Sequence, residues 1–266
     1  MATELRDATG LSDRFYVVLT LHRTGSTFFC NALNGHPDII CAGEIFNSEG
    51  ARKNNIDLER PIASLDRWLE THPNVPFLGF KLMLDQSPDV LEEVARRRFR
   101  IIFLTRPNEL ARHSSQLIAR HTGRRFKASL LARGSAYILK NVSGSYSNPM
   151  AQQFFDRANK FAGGTTTKVA FDKKRFLLMQ QRQEALMSEA EAVLAKYSLE
   201  PLRVTYPDVT KPEIMSAALK FLGATDRQLV AMTTKMNPPD IMERFSNPED
   251  VRQFLEEIHH PEWETE

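Results

Sequence analysis

Phe15-Tyr16-Val17-Val18-Leu19-Thr20-Leu21-His22-Arg23-Thr24-Gly25-Ser26-Thr27 is the stretch that decides the fold. Its first six residues form a nearly continuous run of apolar β-formers, the pattern of a strand buried on both faces of a parallel sheet. From Thr24 the period changes. Phe28, Phe29, Ala32 and Leu33 group on one helical face, and Gly35 followed by Pro37 supplies a stop. Strand, tight turn and helix therefore follow one another without a gap. In a parallel sheet that order sets a helix N-terminus at the carboxyl end of a strand. Free backbone N–H groups, the hydroxyls of Thr24, Ser26 and Thr27, the helix dipole and the Arg23 cation then converge, as a bound phosphate or sulfate requires. Read alone, the same run serves equally as a Ser/Thr-rich helix cap beside a surface arginine. It is not a Walker A loop, because the first Gly and the Lys of G-x-x-x-x-G-K-[ST] are both missing, which argues against ATP or GTP hydrolysis.

Outward from this unit, Phe77–Met83 and Arg100–Thr105 repeat the buried-strand pattern, and Leu202–Tyr206 supplies a fourth strand. Leu91, Val94 and Ala95 mark a helix opening near Ser87-Pro88. Helical periodicity also runs through Lys173–Tyr197, Lys211–Leu222 and Pro248–Ile258, the last behind an Asn247 cap. Strands alternating with helices predict an α/β fold, a parallel, doubly wound sheet flanked by helices, in a single domain over residues 1–266. Between His121 and Gly164 the pattern weakens into Gly, Ser and Asn clusters. This stretch, about 122–164, reads as an insertion, either a lid or acceptor-side segment or a disordered excursion.

Composition narrows the function. The 266 residues are 42% apolar, and 35 Lys+Arg against 33 Asp+Glu leave a formal charge of +2. Bulk electrostatics thus calls for neither nucleic acid nor a membrane surface, and any anion site must be local. Met1–Asp13 is polar and lacks the apolar core of a signal peptide, and no apolar run reaches the roughly 18 residues of a membrane span. Cys30 and Cys41 are too few for a disulfide framework and read as packing residues of a reducing compartment. No metal-ligand cluster is visible, and Asn141-Val142-Ser143 reads as a chance sequon.

A second chemical element is Ile101-Ile102-Phe103-Leu104-Thr105-Arg106-Pro107, with a helix over Asn108–Arg120 and Pro107 at its first turn. Arg106 stands at the strand's end. Ser114 follows eight residues later, roughly 12 Å along the helix axis, and an Arg folded back along that helix can share a phosphate with the Ser hydroxyl. The alternative is a structural ion pair beside a solvated hydroxyl.

Together the two elements resemble the sulfotransferases that use 3′-phosphoadenosine 5′-phosphosulfate (PAPS), in their bacterial carbohydrate and glycolipid branch. The resemblance implies a P-loop-like sulfotransferase fold in which Arg23, Thr24, Gly25, Ser26 and Thr27 bind the 5′-phosphosulfate, while Arg106 and Ser114 bind the 3′-phosphate. It extends through His36-Pro37, Gly43-Glu44, Gly79-Phe80-Lys81, Val204-Thr205-Tyr206-Pro207-Asp208, Phe221-Leu222-Gly223 and Asn247-Pro248-Glu249-Asp250. Pro207 departs from the Glu common there. The insertion lies outside the resemblance.

The same resemblance implies that Glu44 is the general base, with Arg23 as the catalytic cation. Removing a proton from a neutral hydroxyl does need an ionised carboxylate, and the apolar neighbours of Glu44 predict partial burial and a raised pKa. A helix-capping or surface Glu is the plain alternative. His36, His113 and Lys81 are rivals: His36 stands at a helix stop, His113 adjoins Ser114, and Lys81 in an apolar strand needs an anionic partner, either the substrate or Glu44. Lys235 is placed over the nucleotide from the C-terminal side, with a solvated Lys as its alternative. The expected protein is a cytoplasmic, metal-free transferase acting on a small-molecule or glycan acceptor, with no nucleic-acid partner and room for a homodimer. A P-loop-like nucleotide kinase and a non-catalytic nucleotide- or carbohydrate-binding module are the competing readings.

Overall fold

The computed structural model describes residues 12–122, 167–229, 237–238 and 240–266. Five strands, β1 (Phe15–Thr20), β2 (Ile39–Cys41), β3 (Phe77–Met83), β4 (Arg100–Thr105) and β5 (Leu202–Thr205), form one sheet in the order β2-β3-β1-β4-β5. Every pairing is parallel, and β1 lies at the centre. The described helices are α1 (Ser26–Leu33), α2 (Ser48–Asn54), α3 (Pro61–Glu70), α4 (Pro88–Arg96), α5 (Glu109–Thr122), α6 (Lys173–Lys196), α7 (Pro212–Leu222) and α8 (Pro248–Glu257). The expected parallel sheet flanked by helices is therefore observed. Three strands match their expected limits, and β5 ends one residue early because Tyr206 opens a 3₁₀ turn. The three-residue strand β2 and helices α2 and α3 carry no signal recognised in the sequence. The insertion from residue 123 on, Lys235 and the Asn141 sequon lie outside the described residues.

The chain divides into two compact units, residues 1–105 with 183–229, and residues 106–182 with 230–266. The first holds the sheet. Period-2 packing sorts its strands: Val17, Leu19, Leu78, Phe80, Leu82, Ile101 and Phe103 join one apolar core with Leu65, Trp68, Val90 and Val94 of α3 and α4. Residues one step out of phase, Val18, Thr20, Lys81 and Ile102, belong to the other face. Lys81 is paired in register with Val18 of the central strand.

The second unit is built on aromatic rings. Phe171, Phe176, Phe245, Phe254 and Trp263 pack with Leu110, Val251 and Leu255, and Phe171 lies 5.2 Å, ring centre to ring centre, from Phe254. Asn108 caps α5 by accepting from Ala111 N at 2.8 Å, and its amide donates to Trp263 O at 3.1 Å and Thr265 O at 2.9 Å. The segment at 263–265 is thereby fastened to the start of α5.

The turn joining β1 to α1 depends on Gly25. It is the N-cap of α1 with φ 82°, and a Cβ there would meet Tyr206 Cδ2 at 2.8 Å. Both the left-handed backbone and the ring exclude a side chain. Gly25→Ala is expected to lower stability by about 1–2 kcal/mol from the backbone alone, with a further loss from the collision. In thermal melts, adding Tyr206→Ala to the Gly25→Ala variant should recover only the second part, and full recovery would show that the backbone carries no strain.

Candidate functional site

In the sheet-bearing unit the β1–α1 loop is anchored from beneath. Thr24 is fully buried, and its hydroxyl donates to Leu21 O at 3.0 Å and shares a 2.5 Å hydrogen bond with Thr20, whose own hydroxyl reaches Leu104 O at 2.9 Å. Thr24 thus ties the loop to β1 and β4, leaving its backbone rather than its hydroxyl for an anion. Arg23 sits at φ 65°, in the left-handed region, and is half-buried. Gly25 occupies the N-cap position of α1, so no Ser or Thr hydroxyl of this run stands there. The first-turn N–H groups of α1 remain donors without helical acceptors.

Beside the loop, the chain after β2 stays on the edge of β3. Ala42 N donates to Gly79 O and Lys81 N to Gly43 O, each at 2.8 Å, and Glu44 follows directly. Its neighbourhood is then fixed by α2. Asn47 caps that helix by accepting from Gly50 N at 2.6 Å, and a Cβ on Gly50 would stand 1.7 Å from Glu44 O, so only glycine permits this approach.

The Glu44 carboxylate meets three groups. Lys81 Nζ is 2.8 Å from Oε1, while Asn47 Nδ2 at 2.9 Å and Gln86 Nε2 at 3.3 Å donate to Oε2. The Lys81 ammonium also donates to Thr27 Oγ1 at 3.3 Å. One cation, with its side chain only 6% exposed, therefore bridges the loop and the carboxylate. The expectation of a raised Glu44 pKa is overturned. Burial is the largest single influence and pushes it up, but the charge and hydrogen bond of Lys81, the Asn47 amide and the His22 charge together carry it below its ordinary value. Asn47 and Gln86 were not singled out in the sequence. The cap pattern before Ser48-Glu49-Gly50 marks Asn47, and nothing local marks Gln86.

The histidine rivals have other work. His36 Nε2 lies 3.1 Å from both Thr225 O and Oγ1, and its Nδ1 accepts from Asp38 N at 3.1 Å, so it braces the chain after α1.

The second unit holds Arg106 and Ser114, both buried. Arg106 Nε donates to Glu266 Oε1 at 2.6 Å, and its Nη2 forms an ion pair with the same oxygen. Ser114 Oγ donates to Ala111 O at 3.0 Å and accepts from Arg244 Nη1 at 3.3 Å. The ion-pair alternative for Arg106 is thus present, while the solvated-hydroxyl alternative for Ser114 is not. His113, one residue before Ser114, is a core residue. Its Nδ1 is 3.1 Å from Met179 Sδ, and its ring stands edge-on to Phe171 and Phe176. Burial, then the Arg175, Arg112 and Arg120 charges, push its pKa down to about 4.

Among the described residues no three or more His, Cys, Asp or Glu side chains gather as metal ligands, and no helix is long and apolar enough to cross a membrane. Cys30 and Cys41 are buried and free.

No protein-family model matches the chain. It is 29% identical over 190 residues to nodulation protein H of Rhizobium tropici, covering 68% of this chain and 72% of that protein. Among solved structures it is similar to a sulfotransferase from Alicyclobacillus acidocaldarius, at 16% identity and a TM-score of 0.42, covering 94% of each chain.

The His113 environment sets an acid sensitivity. An unfolded imidazole takes up a proton near pH 6.5, whereas the folded one resists until about 4. Neutral His113 is therefore fully compatible with folding above the unfolded value, and stability falls as pH drops from 6.5 toward 4. The loss is at most about 3 kcal/mol for a shift of this size. His113→Phe should flatten that limb in denaturant titrations, and an unchanged acid limb would show that other groups cause it.

Proposed function

We propose that the chain is a sulfotransferase that moves a sulfuryl group from PAPS to an acceptor hydroxyl, on a carbohydrate or glycolipid by the branch it resembles. The observation that carries the reading is the Lys81 ammonium held between the Glu44 carboxylate and the Thr27 hydroxyl of the anion loop. A proton acceptor and an anion cradle thereby share one buried cation. The likeness to nodulation protein H over most of both chains supports the same reading. A cytoplasmic setting accords with the two free thiols.

On this reading the loop N–H groups, Ser26, Thr27 and Arg23 hold the phosphosulfate, and Arg106 with Ser114 takes the 3′-phosphate. Glu44 accepts the acceptor's proton as the acceptor oxygen bonds to sulfur. The bond from sulfur to the bridging phosphate oxygen breaks, and its electron pair leaves on the phosphate, where Arg23 and the loop donors oppose the growing charge. Lys81 links these events. While it is paired with Glu44, the carboxylate is a weak base, and a donor anion beside Thr27 draws the ammonium's charge toward itself and restores basicity to Glu44.

Incubation with radiolabelled PAPS and a panel of glycans, glycolipids and phenols tests the activity directly. In melting assays adenosine 3′,5′-bisphosphate should stabilise the protein well beyond ATP. Equal stabilisation by ATP with Mg²⁺ would point instead to a phosphoryl transferase.

The base assignment has its own test. Glu44→Gln should lower kcat by roughly 10²- to 10⁴-fold with bisphosphate affinity nearly unchanged. Wild-type kcat in this variant on a true acceptor would sink it.

A further inference from the structure

Three buried arginines surround the start of α5. Arg106, Arg112 and Arg244 are 7%, 2% and 2% exposed, and Ser114, which accepts from Arg244, is fully buried. Besides Ser114, Arg244 donates four hydrogen bonds to three acceptors: Pro238 O from Nε at 3.0 Å and again from Nη2, Ala111 O from Nη1 at 3.4 Å, and Glu266 Oε2 from Nη2 at 3.4 Å. Glu266, its side chain 7% exposed, therefore presents one oxygen to Arg106 and the other to Arg244. Arg112 has a single described carboxylate contact, Nη2 to Glu109 Oε1 at 3.3 Å, and its Nε and Nη1 are buried with no hydrogen-bond partner among the described residues. Burial lowers its pKa to about 10, against the pull of Glu109 and with the help of the Arg106 charge, so these two cations feel one another.

Two buried N–H groups without acceptors are costly in a folded protein, and mutually repelling buried cations more so. A single carboxylate supplies two oxygens and one negative charge. A phosphomonoester dianion supplies three terminal oxygens and nearly two charges, matching Arg106, Arg244, the Ser114 hydroxyl and the two open donors of Arg112. The backbone around Glu266 is fixed without its side chain. Ile241 N donates to Glu264 O at 3.0 Å, and Asn108 holds Trp263 O and Thr265 O. The Glu266 side chain, with its three rotatable bonds, can leave the arginines while this backbone stays in place.

We infer that the Glu266 carboxylate is a displaceable internal substitute for a phosphomonoester, closing an anion site whose further ligands are Arg112 and Arg244. This rests on the proposed function where it identifies the phosphomonoester as the donor's 3′-phosphate. The shared chemistry also admits inorganic phosphate, and Glu266 competes with either.

Calorimetric titration of the full chain and of Glu266→Gln with adenosine 3′,5′-bisphosphate, adenosine 5′-phosphate and inorganic phosphate tests this. The Gln variant should bind the bisphosphate on the order of ten-fold more tightly, with affinity for the 5′-phosphate unchanged. Adding Arg112→Gln should remove that gain. Glu266→Asp, which retracts the carboxylate by one methylene, should give a smaller gain and serves if the Gln variant loses stability. Equal or weaker bisphosphate binding by Glu266→Gln overturns the inference, since Glu266 then orients the arginines. In that case a wild-type preference for bisphosphate over 5′-phosphate leaves the sulfotransferase reading intact. If neither form distinguishes those two nucleotides but the variant gains affinity for inorganic phosphate, the inference holds and the donor assignment falls. Failure of every anion to bind either form overturns both.

Discussion

An ammonium group inside an apolar strand must have an anion beside it, and the site in the sheet-bearing unit follows from that requirement. Lys81 lies in β3 between Phe80 and Leu82, which face the larger core, and points to the opposite face beside α1. A lone buried charge carries a penalty of several kcal/mol, so Glu44 has to be brought to it. Continuing the β2 chain along β3 by two backbone hydrogen bonds does so, and Gly50 lets α2 press on the Glu44 carbonyl. The carboxylate is held by geometry that also lowers its basicity. Under the proposed function the proton affinity of Glu44 is then set by whatever else claims Lys81, and the Thr27 hydroxyl is the group that shares that ammonium with it.

The second unit solves the same electrostatic problem with different residues. Its arginines are buried at the start of α5, and carboxylates from Glu109 and Glu266 balance them in part. The difference is how completely the cation is satisfied. Lys81 has a close carboxylate and a hydroxyl, whereas Arg112 keeps two donors without acceptors among the described residues. Buried donors left open cost free energy that an apolar residue of similar size would not. Stability alone does not account for an arginine there, whereas His36 has partners for both ring nitrogens.

Much of this was legible in the sequence, for identifiable reasons. The strands β1, β3 and β4 are buried on both faces, so their apolar runs are unbroken and their limits plain. The short β2 has no room for a pattern. Helix α2 contains Gly50 and buries only Ala51, so its periodicity is faint, although its Asn47 cap was there to be read. Lys81 was recognised as needing a partner and Glu44 was one of two candidates for it. Sequence alone gives the wrong sign for the Glu44 shift, because burial is suggested by neighbours in sequence while the opposing cation comes from a strand 37 residues away.

The residues that escaped notice have a common character. Gln86 stands in the turn after β3, Arg112 on α5 one turn from Glu109, and Arg244 in a 3₁₀ turn, but the groups that give Gln86 and Arg244 their roles, Glu44, Ser114 and Glu266, come from other parts of the chain. Thr24 is the converse case. Its place in the loop was evident, but a hydroxyl in a small-residue turn can face the anion or the strand beneath, and the two differ only in a side-chain torsion. Thr20 resolves it: a fully buried hydroxyl at the end of β1 needs partners of its own, and Thr24 supplies one. Under the proposed function the loop therefore holds its anion through its backbone and through Ser26, Thr27 and Arg23. Substituting Thr24 would act first on how firmly the loop is seated, and only through that on binding.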